Sequence, residues 1–205
     1  MNFCLPALEP ENHVAAMTSP SATPTSVGIS ASRTTKWKAL LTELCAWQTH
    51  RPPELQPLLE LEASDPAFPT LIYASGAGTS SNALHHAAMH ILLSHKPSSL
   101  SLADLDLEMH MHGDSGSDSQ LAMHKASLSP LWHARRVCGI ALHSEPEDTK
   151  CWDPCLIAAL ALVARRITHP AQQGDILACL GRVGGAGWNI EGVVKSLSGE
   201  WGVGG

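Results

Sequence analysis

From Trp37 the large apolar side chains recur at helical spacing, at Trp37, Leu40, Leu41, Leu44 and Trp47, which predicts an amphipathic helix. Thr34 or Thr35 is its expected N-cap, and Arg51-Pro52-Pro53 its stop, because a residue before proline is pushed out of the α region. Residues 54–80 read as short helical turns, one extended piece around Thr70–Tyr73 and a flexible Ala74–Ser81 stretch. A second helix is predicted from about Asn82 to Ser94, with Leu84, Ala87, Ala88, Ile91 and Leu92 on its apolar face. A third runs from about Pro130 to His143. Asp153-Pro154 then opens a helix whose run Cys155–Arg166 is apolar all round, the pattern of a central buried helix. His169-Pro170 breaks it. Further helices follow at about Ala171–Val183 and Asn189–Trp201, separated by a Gly184–Gly187 turn.

No run sustains the alternation of a strand, so the predicted class is all-α: an irregular multi-helix array with a central buried helix. Residues 1–35 read as a disordered Ser/Thr/Pro-rich tail, because TSPSATPTSVGISASRTT has too few large apolar side chains to offset its ordering entropy. Residues 36–202 form the expected helical domain, with a mobile loop near 97–127 centred on the acidic GDSGSDS.

Composition narrows the function. Hydrophobic residues at 44% supply a real core, so the chain as a whole is not disordered. Thirteen Lys and Arg against 19 Asp and Glu give a net charge of −6, the wrong sign for a stand-alone nucleic-acid binder. The longest apolar run, Cys155–Ala164, is about half the ~20 residues of a membrane span. The opening MNFCLPALEPENH lacks the ordered parts of a secretory signal. The cysteines, at 4, 45, 138, 151, 155 and 179, are dispersed, which predicts reduced thiols inside the cell.

Candidate chemistry is sparse. Cys151 and Cys155 lie four apart, whereas a structural zinc site wants two close pairs; Cys45, Cys138, Cys155 and Cys179 read as buried small hydrophobes. His86 and His90 are i, i+4 on the second helix, but HAAMH lacks the glutamate of HExxH, so one hydrogen-bonded core histidine is expected, with the others exposed. Met109-His110-Met111-His112 has copper-type donors in what reads as a solvated loop. GDSG at 113–116 matches a serine-protease loop in letters alone. GRVGGAG and WGVGG lack the lysine of a phosphate loop. Arg135-Arg136 and Arg165-Arg166 are expected to pair with the excess acids, with an anion site as the alternative. No catalytic, cofactor-binding or metal-ligating residue is assigned, and no enzyme is expected. Trp37, Trp132 and Trp152, beside the apolar 155–166 helix, could wall a pocket for a small molecule.

The order of the pieces carries more than any one of them. In sequence they are Trp37-Lys-Ala-Leu-Leu with Leu44-Cys-Ala-Trp47 and Arg51-Pro52-Pro53; Phe68-Pro69 with Ile72-Tyr73; and His86-Ala87-Ala88-Met89-His90-Ile91-Leu92-Leu93. Then come His133-Ala134-Arg135-Arg136-Val137-Cys138-Gly139-Ile140-Ala141, Trp152-Asp153-Pro154, Gln172-Gln173 with Ile176-Leu177, and Gly187-Trp188 with Leu197 and Trp201-Gly202. Over about residues 36–202 this set resembles the C-terminal part of the regulatory region of fungal zinc-cluster transcription factors. The six-cysteine basic DNA-binding head of that family has no counterpart in the sequence. The resemblance implies a nuclear transcription regulator of a metabolic or secondary-metabolite gene set. It would act through protein partners, either an intact factor or a second copy of itself, with room for a small-molecule effector and without direct DNA contact. The alternative is a small-molecule-binding helical protein with no role in transcription.

Overall fold

The computed structural model describes residues 26–64, 66–101, 126–144 and 152–202. The tail at 1–25, most of the loop near 97–127 with its GDSGSDS and Met-His run, Cys4 and Cys151 lie outside the described residues. Among the described residues the class is all-α, with six helices and one small sheet. The order is α1 (Ser26–His50), a 3-10 turn (Pro53–Leu55), β1 (Pro57–Leu61), β2 (Thr70–Tyr73), α2 (Gly76–Ser94), α3 (Pro130–Leu142), α4 (Pro154–Ala164), α5 (Pro170–Gly185) and α6 (Glu191–Trp201).

Three helices start on the same device, a side-chain cap followed by proline. Ser129, Asp153 and His169 accept from the backbone N–H of Trp132, Cys155 and Ala171, and Pro130, Pro154 and Pro170 fill the first helical position. The expected starts at 130 and 154 therefore hold. The helical region itself begins earlier than residue 36. α1 reaches back to Ser26, since no proline lies between Thr25 and Arg51 and a helix nucleated at Trp37–Trp47 propagates through the Ser/Thr run.

Two further expectations are corrected between α1 and α2. Thr70–Tyr73 is extended as expected, but Pro57–Leu61, expected as helical turns, pairs with it antiparallel, Leu59 against Ile72 and Leu61 against Thr70. The strand hides in the sequence because PLLEL does not alternate: all but Pro57 of β1 is exposed. Ala74–Ser81 is not a flexible stretch. Ser75 accepts from Gly78 N at 3.1 Å and caps a helix that starts at Gly76.

The main core joins Phe68 and Leu71 to the inner faces of α2 to α6, with Val137, Ile140, Leu160, Val163, Ile176, Leu180 and Leu197 fully or almost fully buried. α4 belongs to this core as its composition predicts, burying Leu156, Ile157, Leu160 and Val163 while Leu162 stays at the surface. A smaller cluster of Trp37, Leu41, Met89, Leu93, Leu100 and Leu128 attaches α1 to the far end of α2. There the Trp37 indole donates to Leu92 O at 2.8 Å. The Ser80 hydroxyl donates to the Asp153 carboxylate, tying α2 to the start of α4 and holding that carboxyl below its usual range.

α3 packs so closely on the hairpin that Gly139 has no room for a side chain. A Cβ there would overlap the Pro69 carbonyl oxygen and lie 3.3 Å from Pro69 Cγ. Gly139→Ala is expected to cost about 1–3 kcal/mol in urea unfolding through overpacking. Gly181→Ala, on the exposed side of α5 with nothing within 4 Å, is expected to leave stability unchanged or raise it by about 0.5–1 kcal/mol.

Candidate functional site

The face that α2 turns inward is not its expected one. Leu84 and Ile91 are exposed, while His85, His86, His90 and Asn82 are buried beside Ala83, Ala87 and Met89. The alanines let α2 and α3 approach, and imidazole rings fill the space between. The expectation of a single core histidine is thus corrected: three histidines of α2 are buried, and His133 of α3 joins them.

Each ring is placed by a specific contact. His133 Nε2 lies 2.8 Å from Ser127 O, and a carbonyl only accepts, so His133 carries its proton on Nε2. Its Nδ1 is then the acceptor for His86 Nδ1–H, 2.8 Å away. His90 donates from Nδ1 to Pro130 O at 2.9 Å. His85 lies stacked on Trp47 of α1, ring centroids 4.7 Å apart, with its own Nδ1 buried and without a hydrogen-bond partner. Trp132 meets the His133 ring edge-on at 4.9 Å and the His86 ring at 5.8 Å.

Burial sets the charge of this cluster. It pushes His85 down to about 4, helped by the nearby Arg51 cation. It pushes His133 down to about 3, overriding the bond to Ser127 O that favours the charged form. His86 is held well below the ordinary histidine value by burial and then by its neighbour His133. All three rings are neutral at pH 7. Among the described residues no group of three or more His, Cys, Asp or Glu side chains is placed to hold a metal ion.

Next to the histidines lies an ion-pair triad. Arg136 is 3% exposed, its guanidinium 4.1 Å over the Trp132 ring. It pairs with Glu60 in β1 and with Glu62 just beyond it, the latter at 2.5 Å. Burial lowers Arg136 to about 10, still cationic at pH 7, and its Nε–H is buried with no acceptor. Arg135 donates to Ala67 O at 2.6 Å. Both arginines line a cleft of about 340 Å³ between α3 and the hairpin, with Glu62, Ala63, Pro69, Ala126, Ser129, Leu131 and Trp132.

The remaining candidates do not converge. Trp132 lines the cleft, but Trp37 sits in the small cluster under α1 and Trp152 in the main core, so the three do not wall one pocket. Cys138 and Cys179 are buried as expected and Cys45 is half-buried. Cys155 is exposed, because its place in the first turn of α4 faces away from the core. Arg165 pairs with Glu200 at 2.6 Å. The reading of the residues missed His133 and the carboxylates that meet Arg136. The available signal was Trp132-His133 on the inner face of α3, opposite His85-His86. No family model matches the chain, and neither a curated protein nor a solved structure matches it.

The histidines predict an acid limit to stability. The unfolded chain binds a proton at each of these positions near pH 6.5 and the folded chain does not, so stabilisation is complete above that pH. It is lost as pH falls towards about 4 for His85 and about 3 for His133. Each histidine contributes a slope of up to about 1.4 kcal/mol per pH unit. Urea unfolding at pH 7, 6 and 5 is expected to show a steep decline, and His85→Gln a shallower one.

Proposed function

We propose that this chain is a transcription regulator of the fungal zinc-cluster factor type, acting in the nucleus on a metabolic or secondary-metabolite gene set through protein partners. The observation that carries the reading is the ordered set of segments from Trp37 to Gly202, whose members fall on the helices and the hairpin of one all-α array. A net charge of −6 favours a protein partner over a phosphate backbone. A place for such a partner is the outer face of the hairpin, where Leu58, Leu59, Leu61 and Ile72 are exposed, Leu58 by 71%. Arg136 holds that face to the helical body through Glu60 and Glu62. A second reading, a small-molecule-binding helical protein with no role in transcription, draws on the cleft beside Trp132.

Deletion of the gene in its host is expected to change the transcripts of a defined gene set. The wild-type chain restores that set, and the double variant Leu58→Lys, Leu61→Lys does not, although it keeps the wild-type circular dichroism and unfolding midpoint. An unchanged transcript profile after deletion overturns the reading. So does tight, sequence-specific DNA binding by the purified chain alone in a gel shift, with a steep salt dependence.

A further inference from the structure

The cleft between α3 and the hairpin joins cationic, aromatic and apolar chemistry in one recess. Among the described residues Arg135 and Arg136 line it together with one carboxylate, Glu62, and Arg136 is also paired with Glu60. The two carboxylates on Arg136 are not equivalent: the side chain of Glu62 is 50% exposed and that of Glu60 31%. Glu62 is therefore the partner that water, or another anion, replaces more readily. Arg136 is itself almost wholly buried, and its Nε–H lacks an acceptor, so the guanidinium has donor capacity that the protein does not use.

The aromatic part is held rigidly. Trp132 is fixed between the His86 and His133 rings on its edges and the Arg136 guanidinium over its face. A surface held this way loses little freedom when a ligand packs on it. Leu131, Pro69 and Ala63 complete an apolar lining, and about 340 Å³ matches the small end of ligand pockets, room for one or two fused rings.

We propose that this cleft binds a small aromatic carboxylate. The carboxylate takes the place of Glu62 on Arg136 and is shared with Arg135, and the ring lies against Trp132, Leu131 and Pro69. A planar carboxylate fits the guanidinium fork by two parallel hydrogen bonds, while the apolar lining selects a ring over inorganic phosphate. The site stands apart from the regulatory reading, because its test reads binding and not transcription.

The test uses the full chain at pH 7.5, titrated calorimetrically with benzoate and naphthoate, and with benzamide and naphthamide as uncharged counterparts. Naphthoate is expected to bind about tenfold or more tightly than naphthamide. Arg135→Gln is expected to weaken it about tenfold, and Glu62→Gln to tighten it several-fold by removing the competing carboxylate. Arg165→Gln, in the other basic pair, is expected to change nothing. Should Arg135→Gln fail to fold, the Glu62→Gln gain still decides. Equal binding of acid and amide overturns the proposal, as does unchanged or weaker naphthoate affinity in Glu62→Gln. Absence of binding by both carboxylates at millimolar concentration also overturns it.

Discussion

The hydrogen bond between His86 and His133 is the contact on which the rest of the arrangement depends. It joins α2 to α3, the most extensively packed helices of the fold, at a point with almost no water. It is lost only when both rings are charged, and in the neutral pair the Ser127 carbonyl decides which nitrogen gives and which takes. From that fixed pair the order passes outward. The rings set the edge of Trp132, Trp132 carries Arg136, and Arg136 holds the carboxylates of β1 and the residue beyond it. The hairpin and the cleft beside it are the outer end of a chain of contacts that begins in the histidine core.

Much of the helical layout was legible in the sequence, for a local reason. Ser129-Pro130 and Asp153-Pro154 announce helix starts within two residues, and Gly202 ends α6 in the left-handed conformation that glycine adopts without strain. The failures have non-local causes. β1 is a strand because β2 pairs with it, and nothing within Pro57–Leu61 alternates to reveal that. The inward face of α2 could not be read from hydrophobicity, since Leu84 and Ile91 outrank histidine on any apolar scale. His86 and His90 are buried there because α3, distant in sequence, supplies acceptors at His133 Nδ1 and Pro130 O.

The candidate site was legible in part. Arg135-Arg136 stood out as a basic pair expected to meet acids, and Arg136 does. Which acids it meets depends on the hairpin register, and the hairpin was not foreseen. Tryptophan was a poor guide for a similar reason. Residue type announces a large buried surface, but Trp37 and Trp152 spend theirs on two different clusters, and only Trp132 reaches the cleft.

The division of the apolar interior into two clusters has a dynamic consequence. α1 is held by the small cluster at the far end of α2 and by Trp47 over His85, whereas the main cluster closes without it. α1 thus holds only a small share of the interior, the pattern of a segment that opens at a lower free energy than global unfolding. Such an opening uncovers His85 first, so protonation and the release of α1 are linked: each acidic step that charges this ring also lengthens the time α1 spends undocked.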